Sequence, residues 1–277
     1  MAGKPQSSRA GACGEYLTAS NRARRGRAHS DVRNTDDRIV RLAHGGSSGI
    51  GAATCQALLA AGYHVISLDR NVGQVKLPHL HEVQVDLTDV EATRSAALDV
   101  ARRFPVTTVI HNAGAVRQKP LEQVTDDDLR ALTNLHVAAP IVLVQANLAA
   151  MRAQQFGRIV LVSTRAVLGL AQRTAYSATK AAMIGLARTW ALELGPQGIT
   201  ANVVAPGPIE ATDVFHDIIP KDSPKIPKII ESIPVKRLGR PADVARAVMF
   251  FVDPQAGFVT GQTLFVCGGT SVGSIAF

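Results

Sequence analysis

Residues 39–51 read Ile39-Val40-Arg41-Leu42-Ala43-His44-Gly45-Gly46-Ser47-Ser48-Gly49-Ile50-Gly51. A short apolar run enters a glycine-rich turn, and an Ala/Leu-rich stretch, Ala53–Ala61, follows and stops at Gly62. The order is strand, turn, helix. The glycines at 45, 49 and 51 give the spacing GxxxGxG rather than the commoner GxGxxG. A turn of this kind needs residues without Cβ, lets a backbone approach a ligand closely, and aims unpaired N–H groups and a positive dipole end at an anion. Gly45, Ser47, Ser48, Gly49 and Ile50 are therefore candidate phosphate-contacting residues, with an ordinary tight turn as the alternative.

Outward from this turn, short Val/Ile-rich runs alternate with longer helical patterns. Strands are expected at Ile39–Ala43, His64–Leu68, Glu82–Val85, Thr107–Ile110, Ile159–Val162, Ala201–Val204 and Leu264–Val266. Continuous apolar runs of this length suit strands buried on both faces. Helices are expected at Val90–Phe104, from the Thr125/Asp128 capping box toward Gln155, at Arg173–Leu194 before Gly195-Pro196, and at Pro241–Phe251. Alternation of this sort predicts an α/β fold of the Rossmann-like, doubly wound type. It has a seven-stranded parallel sheet, helices on both faces, and a ligand crevice at the carboxyl ends of the strands.

The division of the chain follows from charge and rhythm. Its net charge is +8, but Lys4, Arg9, Arg22, Arg24, Arg25 and Arg27 face only Glu15 within residues 1–30. Residues 1–37 are expected to form a basic, disordered extension, and residues 38–277 a single domain. The extension lacks the apolar stretch of a secretory signal; its Arg-rich, acid-poor composition is shared by transit peptides. Nucleic-acid contact through it would be sequence-blind, so no specific nucleic acid is expected. Residues 211–234, with Pro220, Pro224, Pro227 and Pro234, interrupt the rhythm at the crevice end and are a candidate substrate lid. Cys13, Cys55 and Cys267 are too few and scattered for a disulfide framework or a metal site, and they fit a reducing, cytoplasmic setting. The apolar fraction of 46% excludes a wholly disordered chain, and no window approaches the 18 consecutive apolar residues of a membrane span.

Polar residues gather at the predicted strand ends. Asp69-Arg70 follows the second strand. A carboxylate there accepts from ribose hydroxyls and repels a 2′-phosphate, which favours NAD; Arg70 keeps NADP open. Asp86-Leu87 and Asn112-Ala113-Gly114 end the next two strands. Tyr176 and Lys180 lie one helical turn apart on one face, where an ammonium is expected to lower the phenol pKa. Thirteen residues upstream of Tyr176 stands Ser163, with Thr164 beside it. Either hydroxyl could hold a substrate oxygen, but a one-residue slip on a strand reverses the side chain.

Gly45-x-x-x-Gly49-Ile50-Gly51, Asn112-Ala113-Gly114, Asn134-Leu135, Ser163, Tyr176-x-x-x-Lys180 and Pro206-Gly207 occur in one order. Through them residues 38–277 resemble the short-chain dehydrogenase/reductase family. The resemblance implies hydride transfer between NAD(P) and a secondary alcohol or ketone. Tyr176 would be the general acid/base, Lys180 would bind the nicotinamide ribose, and Ser163 would polarise the substrate oxygen. Asn134 would hold a proton-relaying water. Asp86 and Leu87 would flank the adenine; Asn112, Ala113 and Gly114 would line the ribose and diphosphate path. Pro206 and Gly207 would lead to Ile209 at the carboxamide, and Thr212 would approach the carboxamide or diphosphate. It also implies a homotetramer or homodimer. An NADPH-dependent 3-oxoacyl-thioester (acyl-carrier-protein) reductase is the near alternative, and a non-catalytic dinucleotide sensor the distant one.

Departures from the family pattern are Arg41, His44, His111 and Cys267. Around the expected substrate pocket, Arg117, Lys119, Arg165 and Arg173 read as solvated surface cations, with a substrate carboxylate or phosphate as the alternative.

Overall fold

The computed structural model describes residues 40–44, 46, 48–72, 77–210, 212, 215, 219–220 and 222–272. Its seven strands are β1 (Val40–His44), β2 (His64–Asp69), β3 (Leu80–Gln84), β4 (Val106–His111), β5 (Gly157–Val162), β6 (Ile199–Pro206) and β7 (Thr263–Val266). They form one parallel sheet in the order β3-β2-β1-β4-β5-β6-β7. The order turns back between β1 and β4, so a crevice opens there at the strands' carboxyl ends. The expected runs fall within or beside the observed strands; the observed ones are mostly longer. For β1 the description covers the backbone, so the expectations for the Arg41 and His44 side chains lie outside it. The same is true of Gly45, Ser47 and the whole of residues 1–39.

Among the described residues the helices are α1 (Gly49–Ala60), α2 (Val90–Arg103), α3 (Asp126–Thr133), α4 (Ala139–Ala153), α5 (Thr174–Leu194), α6 (Lys225–Ser232) and α7 (Pro241–Val252). Alternation along the central strands sorts the core into two layers. Ile66, Leu68, Val109, Ile159, Leu161 and Val203 pack with Val100 of α2, Leu143 of α4 and Met183 of α5. Their sequence neighbours Val65, Ile110, Val160, Val162 and Val204 pack on the other face with Leu58 of α1 and Val248 of α7. Period-two alternation with both sides apolar is what a sheet covered on both faces requires.

Local chemistry sets the helix ends. The Asp89 carboxylate accepts from the backbone N–H groups of Glu91 and Ala92, both at 3.0 Å, and so starts α2. Thr125 and Asp128 make the expected capping box of α3. The helix expected to run on toward Gln155 is interrupted: Asn134–Ala138 is a π-helical turn between α3 and α4. Pro140 supplies the reason, because it has no N–H to continue the i→i−4 ladder. The run Asp126–Ala153 is long and apolar enough to cross a membrane by length and composition alone, but Leu132, Leu143 and Met151 are buried in the core.

At the start of β5, the buried Arg158 donates to four backbone carbonyls: Gly157, Gly198, Asp253 and Pro254. A guanidinium taken out of water needs such acceptors. They tie the amino end of β5 to the segments beside it.

Candidate active site

A cleft of about 820 Å³ runs along the carboxyl edge of the sheet. Of the expected cofactor residues, Ser48, Gly49, Ile50, Asp69, Arg70, Asp86, Leu87, Asn112, Ala113, Gly114, Pro206, Gly207, Ile209 and Thr212 line it, as do Ser163, Tyr176 and Lys180. Asn134 does not, although its neighbour Leu135 does.

The glycine turn opens α1 toward this cleft. No acidic residue stands in the first turn of α1, so its orphan N–H groups keep their attraction for an anion. Gly49 has φ 51°, in the left-handed region, and a Cβ there would lie 3.2 Å from Thr212 Cγ2. At Gly114 a Cβ would come 3.1 Å from Lys180 Nζ. Glycine at both places keeps open the path a dinucleotide would follow, so the residues present fit such a cofactor. At Gly207 a Cβ would meet Cys267 Cα at 2.8 Å, so close strand-end packing requires this glycine.

At the β2 end, Asp69 Oδ1 accepts from Asn71 N–H at 3.1 Å. Burial would raise the Asp86 carboxyl, but the backbone and hydroxyl hydrogen bonds from Thr88 and the charge of Arg70 together hold it below the usual range. Asn134 reaches this same loop: its side-chain amide donates to Thr88 O at 3.0 Å.

The two adjacent hydroxyls are engaged differently. Ser163 Oγ donates to Lys180 O at 2.8 Å. Thr164 Oγ1 accepts from Ala166 N–H at 3.2 Å, and its side chain lies near enough to the Tyr176 phenol to pull that group's pKa down. Ser163 thus braces β5 to α5, while the Thr164 side chain lies on the Tyr176 side, and both residues line the cleft. The difference comes from the alternation of side chains along an extended chain.

Electrostatics differ from the expectation too. Burial pushes the Tyr176 phenol up, while the neighbouring Thr164 side chain and the Arg173 charge pull it back in part. Lys180 was expected to be the acidifying cation. Instead its Nζ donates to Val162 O at 2.7 Å, and burial brings its pKa down to about 7. The cation that bears on the phenol is Arg173.

Arg173 is also the main correction to the pocket reading. It is 5% exposed, not a solvated surface group. Arg117 and Lys119 are committed elsewhere, to Asp128 at 3.7 and 2.7 Å. The signal for Arg173 was its position, three residues before Tyr176 at the mouth of the same helix. His136 was missed as well. It is fully buried in the π-helical turn; Ala115 N–H donates to its Nε2 at 3.4 Å, and its Nδ1 lies 2.9 Å from Thr179 Oγ1. Burial first, then the Lys180 and His111 charges, hold the ring neutral. It ties the loop after β4 to the helix that bears Tyr176 and Lys180.

Residues 45–271 match the family model described as enoyl-(acyl carrier protein) reductase. The chain is 32% identical over 245 residues to the BbsD subunit of (2S)-[(R)-hydroxy(phenyl)methyl]succinyl-CoA dehydrogenase from Thauera aromatica, covering 84% of this chain and 96% of that protein. It is 33% identical over 234 residues to the 3-oxoacyl-[acyl-carrier-protein] reductase MabA of Mycobacterium tuberculosis, covering 84% and 92%. A solved structure, a putative NAD(P) dependent gluconate 5-dehydrogenase from Beutenbergia cavernae with bound NADP, superposes with a TM-score of 0.77 at 29% identity, covering 84% and 96%. The doubly wound sheet and its Tyr176/Lys180 cleft define a nicotinamide-dependent oxidoreductase. The chain belongs to the short-chain dehydrogenase/reductase family and acts on a CH–OH or keto group.

Proposed function

We propose that the enzyme interconverts a secondary alcohol and its ketone, with Tyr176 as general acid/base and Thr164 as the hydroxyl that holds the reacting oxygen. The observation that carries this is that Thr164, Tyr176 and Lys180 line one cleft at the carboxyl ends of the strands, while Ser163 Oγ is engaged by Lys180 O. A carbonyl oxygen between these two hydroxyls accepts from both. Because burial favours the protonated phenol, Tyr176 is ready to give its proton as the oxygen becomes alkoxide. In the reverse direction it must first lose that proton. The nicotinamide, when bound, takes or supplies the hydride. Lys180 would hold the nicotinamide ribose; Ser163 and His136 brace the helix that carries it.

Asp69 supports a preference for NAD, since its carboxylate lines the dinucleotide end and repels a 2′-phosphate. A 3-oxoacyl thioester is the second reading for the substrate. It is supported by the thioesters named in both curated relatives. Association into a homotetramer or homodimer belongs to the same proposal; it is supported by apolar side chains left on the surface, such as Leu192 at 82% and Phe250 at 50% exposure.

The test is a panel of ketones, alcohols and acyl thioesters with NADH and NADPH, run on wild type and Tyr176→Phe. The reading requires a loss of about 10²–10⁴ in kcat/KM for Tyr176→Phe with NADH binding retained. Turnover by this variant within tenfold of wild type would remove Tyr176 from the chemistry.

A further inference from the structure

Arg173 is buried in the wall of the cleft three residues before Tyr176, yet its two hydrogen bonds go to neutral acceptors. Nη1 donates to Gln172 O and Nη2 to Gln118 Oε1, each at 3.1 Å. A guanidinium carries five N–H donors, so part of the fork remains for a ligand. Among the described residues no carboxylate lies within 4.0 Å of it, whereas Arg117 and Lys119 share Asp128. Arg158, the other arginine buried among the described residues, has four carbonyls around it and is not among the residues lining the cleft. A cation withdrawn from water without an anion is costly, and such a residue makes sense when its counter-ion arrives from outside.

The surroundings narrow the arriving group. Among the described residues that line the cleft, the acidic ones, Asp69 and Asp86, stand at or after the ends of β2 and β3 at the dinucleotide end. Among the described lining residues away from the dinucleotide end, the charged ones besides Lys180 are Arg165, which donates to Thr270 O at 3.1 Å, and Arg173. Phe215, Ile219 and Ile229, from the segment after β6, contribute apolar wall. The cleft near the reacting oxygen thus combines a positive fork with an apolar surface.

We propose that Arg173 anchors a carboxylate of the substrate, so that the enzyme acts on an oxo acid or hydroxy acid with an apolar body. This rests on the alcohol/ketone reading above and adds the substrate class to it. The guanidinium fork matches a carboxylate in two parallel hydrogen bonds. Its position at the N-cap of α5, three residues before Tyr176, favours a carboxylate within a few bonds of the carbonyl carbon. That proximity disfavours the phosphates of a carrier thioester, which lie at the far end of a long pantetheine arm.

The probes are 2-oxo and 4-oxo acids of six to eight carbons, their methyl esters, and the N-acetylcysteamine thioester of a 3-oxo acid, each with NADH and NADPH. Wild type is expected to favour at least one acid over its ester by about tenfold or more in kcat/KM, as a charge-assisted pair suggests. In Arg173→Gln that acid/ester ratio falls by about tenfold or more, through KM, and Arg173→Lys restores part of it. A merely structural arginine would lower acid and ester together and leave the ratio intact, which overturns the proposal. So does a wild type that prefers the ester or the thioester, a result that stands even if Arg173→Gln fails to fold. If no probe is reduced with either cofactor, the alcohol/ketone reading fails, and the anion site is judged by calorimetric titration of octanoate. Binding to wild type that Arg173→Gln loses supports the site; no binding to wild type refutes it.

Discussion

Ser163 Oγ donates to the Lys180 carbonyl at 2.8 Å, while the next hydroxyl, on Thr164, accepts from Ala166 N–H at 3.2 Å and lies beside the Tyr176 phenol. Two adjacent residues at the end of β5 thus serve opposite sides of the backbone. Thr164→Val should lower kcat/KM by about 10²-fold, the scale of losing one donor aimed at a reacting oxygen, with Thr164→Ser far milder. Ser163→Ala should act mainly on stability, by about 1 kcal/mol, because it removes one buried hydrogen bond. Steady-state kinetics and denaturant titration on the three variants check this. A larger kinetic loss in Ser163→Ala than in Thr164→Val would reverse the assignment.

The pH profile should be asymmetric. Burial raises the Tyr176 phenol, so the acid form persists through neutral pH and above. Ketone reduction should be flat across the neutral range, and alcohol oxidation should climb toward alkaline pH as phenolate forms. Since the Arg173 charge pulls this pKa down, Arg173→Gln should displace the alkaline limb upward. Profiles of kcat/KM in both directions would show it; an unchanged limb in the variant would contradict the coupling.

Lys180 makes a stability prediction with a definite sign. Its pKa is about 7 in the folded protein against an ordinary value of 10.5. Between those values the unfolded chain binds more protons, so stability gains a positive slope with pH from this group. The urea midpoint of wild type should therefore rise from pH 7 toward pH 10 relative to that of Lys180→Met, both without cofactor. Parallel pH curves would show that the ammonium is not buried at such cost.

Asp69 should govern the choice of dinucleotide. Asp69→Ser should raise the ratio of kcat/KM for NADPH over NADH by about tenfold or more, because it removes the repulsion of a 2′-phosphate next to Arg70. Comparable wild-type rates with both cofactors would undo this reasoning.

Gly49→Ala should cost about 1 kcal/mol or more, because alanine is strained at φ 51° and its Cβ would press on Thr212. NADH titration should show weaker binding as well, since the turn and the segment after β6 meet at this point. Unaltered melting and NADH affinity would mean that the turn tolerates a side chain.

The doubly wound order was legible because β4, β5 and β6 are apolar on both faces, and because glycine and proline mark the helix ends. What the sequence hid was fine direction. Ser163 and Thr164 differ by one step of an extended chain, and counting from Tyr176 or from Gly157 selects different hydroxyls. Nothing in the residue type separated Arg173 from Arg117; burial and the position of Asp128 did so, and both arise from distant segments. Lys180 was read from its helical spacing alone, which is silent on whether the ammonium turns to the phenol or to Val162 O. Pro140 did carry a local sign of the π-helical turn, so that break could have been foreseen.

Strand β5 is held at one end and borders the cleft past the other. Arg158 fastens its first residues to four carbonyls, and Thr164 stands just beyond its last, about 20 Å away at roughly 3.3 Å per residue. The far tip can therefore be rewritten for a new reactant while the moored end keeps the sheet in register. Such a strand lets specificity drift without asking the architecture to move.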